Sequence, residues 1–136
     1  MSKNRSLIYL AGHNNLFDKI IENKRYEIVN IIKNIISDYK INDVLDIGTT
    51  KDSDNKSSNL IIKNLNNINV YKSISDQKIN EGFFSKTLQK SITENFLIEE
   101  INEFRSDLVL SSAVIEHVGN ENNQEQMIKN ILKLTN

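Results

Sequence analysis

The sequence predicts an α/β fold built on a parallel sheet, and three observations carry that expectation. Two short apolar runs that read as buried strands, Asp43 to Ile47 and Asp107 to Ser111, stand far apart in the chain. Segments with apolar residues at helical spacing lie around and between them. The first run ends Asp46-Ile47-Gly48, an acid and then a glycine. In parallel α/β sheets, a turn of that kind at a strand's carboxyl end is where nucleotide-like ligands bind.

The elements follow in order. Met1 to Gly12 has little pattern beyond Leu7-Ile8-Tyr9-Leu10 and reads as a short packed arm or a frayed end. Asn14 or Asn15 is placed to cap a helix beginning near Leu16. From Arg25 to Asp38, Ile28, Val29, Ile32, Ile35 and Ile36 recur at helical spacing, which predicts an amphipathic helix whose stripe packs on the sheet. Asn42 turns the chain into the first strand. A polar loop follows over Lys51 to Lys56, and Ser57 is placed to cap a helix carrying Leu60, Ile61, Ile62 and Leu65. Asn66-Asn67 ends it. Asn69 to Ile74 reads as the second strand.

The stretch from Gln77 to Gln89 is weakly patterned, with Phe83-Phe84 and Leu88 as anchors for a short helix, and Lys90 to Thr93 is the expected third strand. Glu94, Glu99, Glu100 and Glu103 read as a solvated acidic loop. Phe104 to Ser106 lead into the strand Asp107 to Ser111. Beyond the turn Val118-Gly119-Asn120, Asn122 and Glu125 have the spacing of a capping box, opening a helix with Met127, Ile128, Ile131 and Leu132. The chain shows no internal repeat and no linker, so 1–136 is expected to be one domain.

Composition narrows the function. The chain has 136 residues, a net charge of -1 and interspersed charges of both signs, so no basic footprint for nucleic acid is present. Cysteine is absent, which removes disulfides, thiolate metal sites and a cysteine nucleophile. The only histidines are His13 and His117, too few for a histidine-rich zinc site, and no metal site is expected. No apolar run reaches the length of a membrane span and no signal-peptide pattern opens the chain, so a cytoplasmic protein without a membrane partner is expected.

The motifs Val44-Leu45-Asp46-Ile47-Gly48, then Asp107-Leu108-Val109-Leu110-Ser111-Ser112-Ala113, then Ile115-Glu116-His117-Val118-Gly119 resemble those of the class I S-adenosylmethionine-dependent methyltransferases. The likeness runs from Asp43 to the end of the chain. It implies a Rossmann-like three-layer fold with a mostly parallel sheet, incomplete at about four strands in the order 3-2-1-4. Residues 1–40 would form a helical region and 41–136 a partial methyltransferase domain. It also implies S-adenosyl-L-methionine as cofactor and a small-molecule acceptor.

The site residues follow from the resemblance, position by position. Gly48 would let the backbone approach the cofactor without a Cβ. Asp46 would hold that turn or reach the cofactor's ammonium, and Thr49 would offer a hydroxyl. The family's second and third glycines are replaced by Thr50 and Asp52. Asp76 is the candidate acceptor for the ribose hydroxyls, with Ser73 and Ser75 fitting the strand end equally by spacing. Glu94 and Asn95 are candidates for the adenine, with Phe96 near the ring. Ser111 and Ser112 would border the methionine portion. Glu116 and His117 would face the mouth of the site, with His117 as general base or as a structural residue fixing the loop.

Other nucleotide enzymes fit less well. Gly48-Thr49-Thr50 lacks the Gly-x-Gly-x-x-Gly of nicotinamide dehydrogenases, and no Gly-Lys-Ser/Thr is present for a P-loop. The acids and lysine of a receiver domain find no counterparts. The alternative from another class is a truncated or non-catalytic methyltransferase-like fragment that serves as a binding or interaction module. In that case Asp107 to Ser111 becomes a sheet edge, and self-association through it is expected.

Overall fold

Val44, Leu45, Asp46 and Ile47 are all buried, which places their strand at the centre of a sheet covered on both faces. The computed structural model describes residues 15–51, 59–80 and 82–136. The elements are α1 (Asn15–Tyr39), β1 (Asp43–Ile47), α2 (Leu60–Lys63), β2 (Val70–Ser75), β3 (Lys86–Gln89), α3 (Ile98–Phe104), β4 (Leu108–Ser111) and α4 (Glu121–Leu134). The four strands form one all-parallel sheet in the order β3-β2-β1-β4, the order expected. Register pairs Asp46 with Ser73 of β2 and Leu110 of β4.

Strand alternation divides the core into two layers. Val44, Tyr71, Leu108 and Leu110 pack with Val29, Ile32 and Ile36 of α1 and with Ile62 of α2. Leu45, Ile47, Ile74 and Val109 pack on the other face with Phe104 of α3 and with Met127 and Leu134 of α4. The amino ends of β1 and β4 are locked by two aspartates. Asp107 N–H donates to Asp43 Oδ1 at 2.9 Å, and Asn42 N–H donates to Asp107 Oδ2 at 2.9 Å. The nearly buried Lys72 Nζ bonds Asp43 Oδ2 at 2.8 Å and the Arg105 carbonyl at 2.6 Å, which satisfies a charge inside the sheet.

Several expectations need correction. The helix expected over Arg25 to Asp38 is one 25-residue helix from Asn15. Its buried stripe is Val29, Ile32 and Ile36, while Ile28 and Ile35 face outward. It ends without glycine: Lys40 takes the left-handed conformation (φ 53°), and Ile41 N–H donates to the Ile36 carbonyl at 3.1 Å. The third strand is Lys86–Gln89 rather than Lys90 to Thr93, and no helix forms around Phe83-Phe84. As an edge strand it turns only Leu88 inward and leaves its neighbours exposed, so no apolar alternation marks it.

The acidic loop is also corrected, because Glu99, Glu100 and Glu103 lie on α3. Glu100 accepts from Leu97 N–H at 2.8 Å and from Lys90 Nζ at 2.7 Å, while Ile101 and Phe104 are buried. Helix α4 is capped by Asn120, whose Oδ1 accepts from Asn123 N–H at 3.1 Å, rather than by Asn122. The expectations for Met1 to Gly12, for a cap at Asn14, for Ser57 and for most of the loop Lys51 to Lys56 fall outside the described residues. No helix among the described residues is long and apolar enough to cross a membrane.

Candidate active site at the carboxyl ends of the strands

Chain order reverses between β1 and β4, and the carboxyl ends at such a switch point are where ligands bind in open parallel sheets. The sequence-predicted residues gather along this end of the sheet: Asp46, Gly48 and Thr49 after β1, Asp76 after β2, Glu94 and Asn95 after β3, and Ser111, Ser112, Glu116 and His117 after β4.

Asp46 is 8% exposed and anchors a buried polar chain. Thr49 Oγ1 donates to Asp46 Oδ2 at 2.6 Å and accepts from Ser73 Oγ at 2.7 Å. Ser75 Oγ donates to the Thr49 carbonyl at 2.7 Å and accepts from Gln77 N–H at 3.1 Å. Burial pushes the Asp46 carboxyl up from 3.8 to about 6, against the pull of the Thr49 hydrogen bond. The hydroxyls of Thr49, Ser73 and Ser75 are thus engaged inside the fold, holding the turn after β1 against the end of β2. Of the three acceptors proposed at the β2 end, only Asp76 presents an exposed side chain.

Gly48 has φ +83°, a conformation that favours glycine, and its N–H donates to the Ile74 carbonyl at 2.8 Å. The space on its missing Cβ side is taken by Val114, whose Cγ2 overlaps the place where a Cβ would stand. A glycine is needed here for the fold's own packing, and the close approach expected of a ligand is made by Val114. That side chain is carried by a loop in which Ala113 has a positive φ of 57° and His117 N–H donates to the Val114 carbonyl at 2.8 Å.

Ser111, Ser112, Glu116 and His117 are exposed. His117 Nε2 lies 4.0 Å from Glu116 Oε1, with both side chains more than half exposed, so the pair is loosely coupled and open to solvent. Glu94 Oε1 accepts from Ser91 N–H at 3.0 Å, Asn95 is exposed, and Lys90 Nζ stands 5.0 Å from the centre of the Phe96 ring.

Two residues escaped the sequence reading. Asn130 sits fully buried on α4 and donates through Nδ2 to the carbonyls of Ile92 at 2.6 Å and Glu94 at 2.8 Å, which clamps the loop that carries Glu94 and Asn95. Its signal was an amide at the i+3 position from Met127, on the buried stripe. Gln77 Oε1 is buried with no hydrogen-bond donor among the described residues, just past the end of β2. Nothing in its sequence context marks it.

A cavity of about 440 Å³ lies at the opposite end of the sheet, lined by Lys33, Ser37, Lys40, Asn42, Asn66 and Asn67, well away from these groups. Among the described residues no three His, Cys, Asp or Glu side chains are grouped to hold a metal ion. Searches of protein-family models, curated proteins and solved structures find no match to this chain.

Proposed function

We propose that this chain is the cofactor-binding portion of an S-adenosylmethionine-dependent methyltransferase acting on a small-molecule acceptor. The observation that carries the proposal is the juxtaposition of Asp46-Ile47-Gly48 and Ser111-Ser112 at the carboxyl ends of two adjacent parallel strands, β1 and β4, between which chain order reverses.

The groups along this rim suit the parts of such a cofactor. The exposed Asp76 carboxylate is an acceptor for ribose hydroxyls. Gln77 Oε1, buried without a donor among the described residues, is a second acceptor that a ligand hydroxyl or amine would satisfy. Ser111 and Ser112 border the amino-acid portion, and Glu94, Asn95 and Phe96 border the base. Asp46 fixes the turn through Thr49. Val114 stands over Gly48, so binding requires that side chain to turn aside. When bound, the cofactor supplies an electrophilic sulfonium methyl. The protein's part is to orient it toward the acceptor, with the solvent-facing His117 placed to take a proton from an acceptor hydroxyl.

Titration calorimetry with S-adenosylmethionine tests this reading. Binding is expected, weakened about 10-fold or more in Asp76→Ala and little changed in His117→Ala. Absence of heat at about 1 mM ligand, a concentration at which even ~1 mM affinity is half-saturating, rejects the proposal. A second reading, a non-catalytic interaction module on the same fold, is favoured by Val114 over Gly48 and by Thr50 and Asp52 in place of the family's further glycines. The same titration separates the two.

A further inference from the structure

Helix α1 carries a second apolar stripe beside the one that packs on the sheet. Ile20, Ile21, Ile28, Ile31, Ile35 and Tyr39 are 48, 50, 44, 60, 38 and 75% exposed. At 3.6 residues per turn these six fall within an arc of about 100°, adjoining the buried arc of Val29, Ile32 and Ile36, and they run for roughly 28 Å. Lys24, whose Nζ already bonds Glu27 Oε2 of the same helix at 2.7 Å, is the one charged side chain near the middle of that arc, and Asp38 lies at its margin. The exposed parts of the six side chains leave on the order of 600 Å² of apolar surface, at the upper limit of the largest patch on a typical monomer.

We propose that this stripe is a self-association surface on which a second copy of the chain docks its own α1, the two helices running antiparallel about a two-fold axis. Area favours a second copy as the occupant. Two such stripes face to face offer up to about 1,200 Å² for burial, on the scale of the ~1,000 Å² a specific interface requires. Symmetry gives both copies the same patch, so the contact closes as a dimer. Charge selects the orientation. With the axis between Ile28 and Ile31, Ile28 packs on Ile31 of the second copy, and Tyr39 meets Ile20 there. Lys24 then stands opposite Ile35 of the second copy, one helical turn from its Asp38. A parallel pairing would instead set Lys24 against Lys24. The outer edge of β4 is the weaker candidate, because Leu108–Ser111 offers only four residues of backbone.

Light scattering coupled to size-exclusion chromatography of the whole chain, at about 1–100 µM, tests the inference. A dimer is expected. Ile31→Glu, at a position already 60% exposed, is expected to give a monomer with unchanged far-UV circular dichroism. Lys24→Asp and Asp38→Lys are each expected to raise the dissociation constant about 3- to 10-fold, and the double exchange to restore it. A monomer at about 100 µM overturns the proposal. A dimer that survives Ile31→Glu also overturns it, placing association elsewhere, and failure of the double exchange to restore pairing overturns the antiparallel arrangement. None of these readouts depends on cofactor binding.

Discussion

Replacing Asp46 with Asn should make this protein more stable at neutral pH, although it alters a buried hydrogen-bonded residue. The Asp46 carboxyl titrates at about 6 in the folded chain against 3.8 for an ordinary aspartate, and the cause is burial. Folding therefore favours the protonated form. Between these two values the folded state holds more protons than the unfolded state, so stability falls as pH rises through that window. The separation corresponds to ~3 kcal/mol lost by pH 7 relative to pH below 4. Asn keeps an oxygen that can accept from Thr49 Oγ1 and carries no charge. Allowing for relaxation around the ionised group, Asp46→Asn should gain about 1–2 kcal/mol at pH 7.5, or roughly 3–8 °C in melting temperature for a chain of this size. The gain should shrink toward zero near pH 4.

Urea denaturation of both proteins from pH 4 to 8 measures the difference directly. Glu100, Asp107 and Glu125 titrate below their ordinary values because hydrogen bonds hold their charged forms, so their contributions fade as pH falls. Those terms are shared by both variants and cancel in the difference. A gain independent of pH, or an Asn variant less stable at pH 7.5, refutes the reasoning. The expected result would also mean that the chain retains a carboxylate at the expense of stability, which is common where a charge serves ligand binding.

Other substitutions test the same region. Gly48→Ala should destabilise by about 2–4 kcal/mol, from the positive φ together with the Cβ contact on Val114, and adding Val114→Ala should recover only the contact's share; a loss under ~0.5 kcal/mol in thermal unfolding would contradict this. Asn130→Ala leaves the carbonyls of Ile92 and Glu94 without their donor and should cost about 2–4 kcal/mol, with faster amide exchange across 91–95 as the local signature.

What was readable in the sequence follows from how each element is buried. β1 was legible because both of its faces are covered, which leaves an apolar run broken only by Asp46. α4 was legible from a sustained stripe, and β4 from the run Leu108-Val109-Leu110. β3 was not, because a largely exposed edge strand with one inward residue leaves no period to find. α3 was hidden by the solvent-facing Glu99 and Glu103 and by Glu100, which is tied to Lys90, while only Ile101 and Phe104 reach the core. α1 misled in another way: its periodicity was correct, but more isoleucines share the apolar sector than the sheet can cover. The acid-glycine turn marked the right end of the right strand. Thr49, which bonds Asp46, is itself held by the buried hydroxyls of Ser73 and Ser75 on β2, 24 and 26 residues further on, and only parallel register brings them there.

The two hydrogen bonds from Asn130 have a mechanical consequence. Helix α4 starts just past the segment carrying Glu116 and His117, and near its far end it grips the backbone beside Glu94 and Asn95. One helix therefore ties the segment that carries Glu116 and His117 to the loop that carries Glu94 and Asn95. A push on the first along the axis of that helix would be passed to the second, so the two segments are expected to shift together.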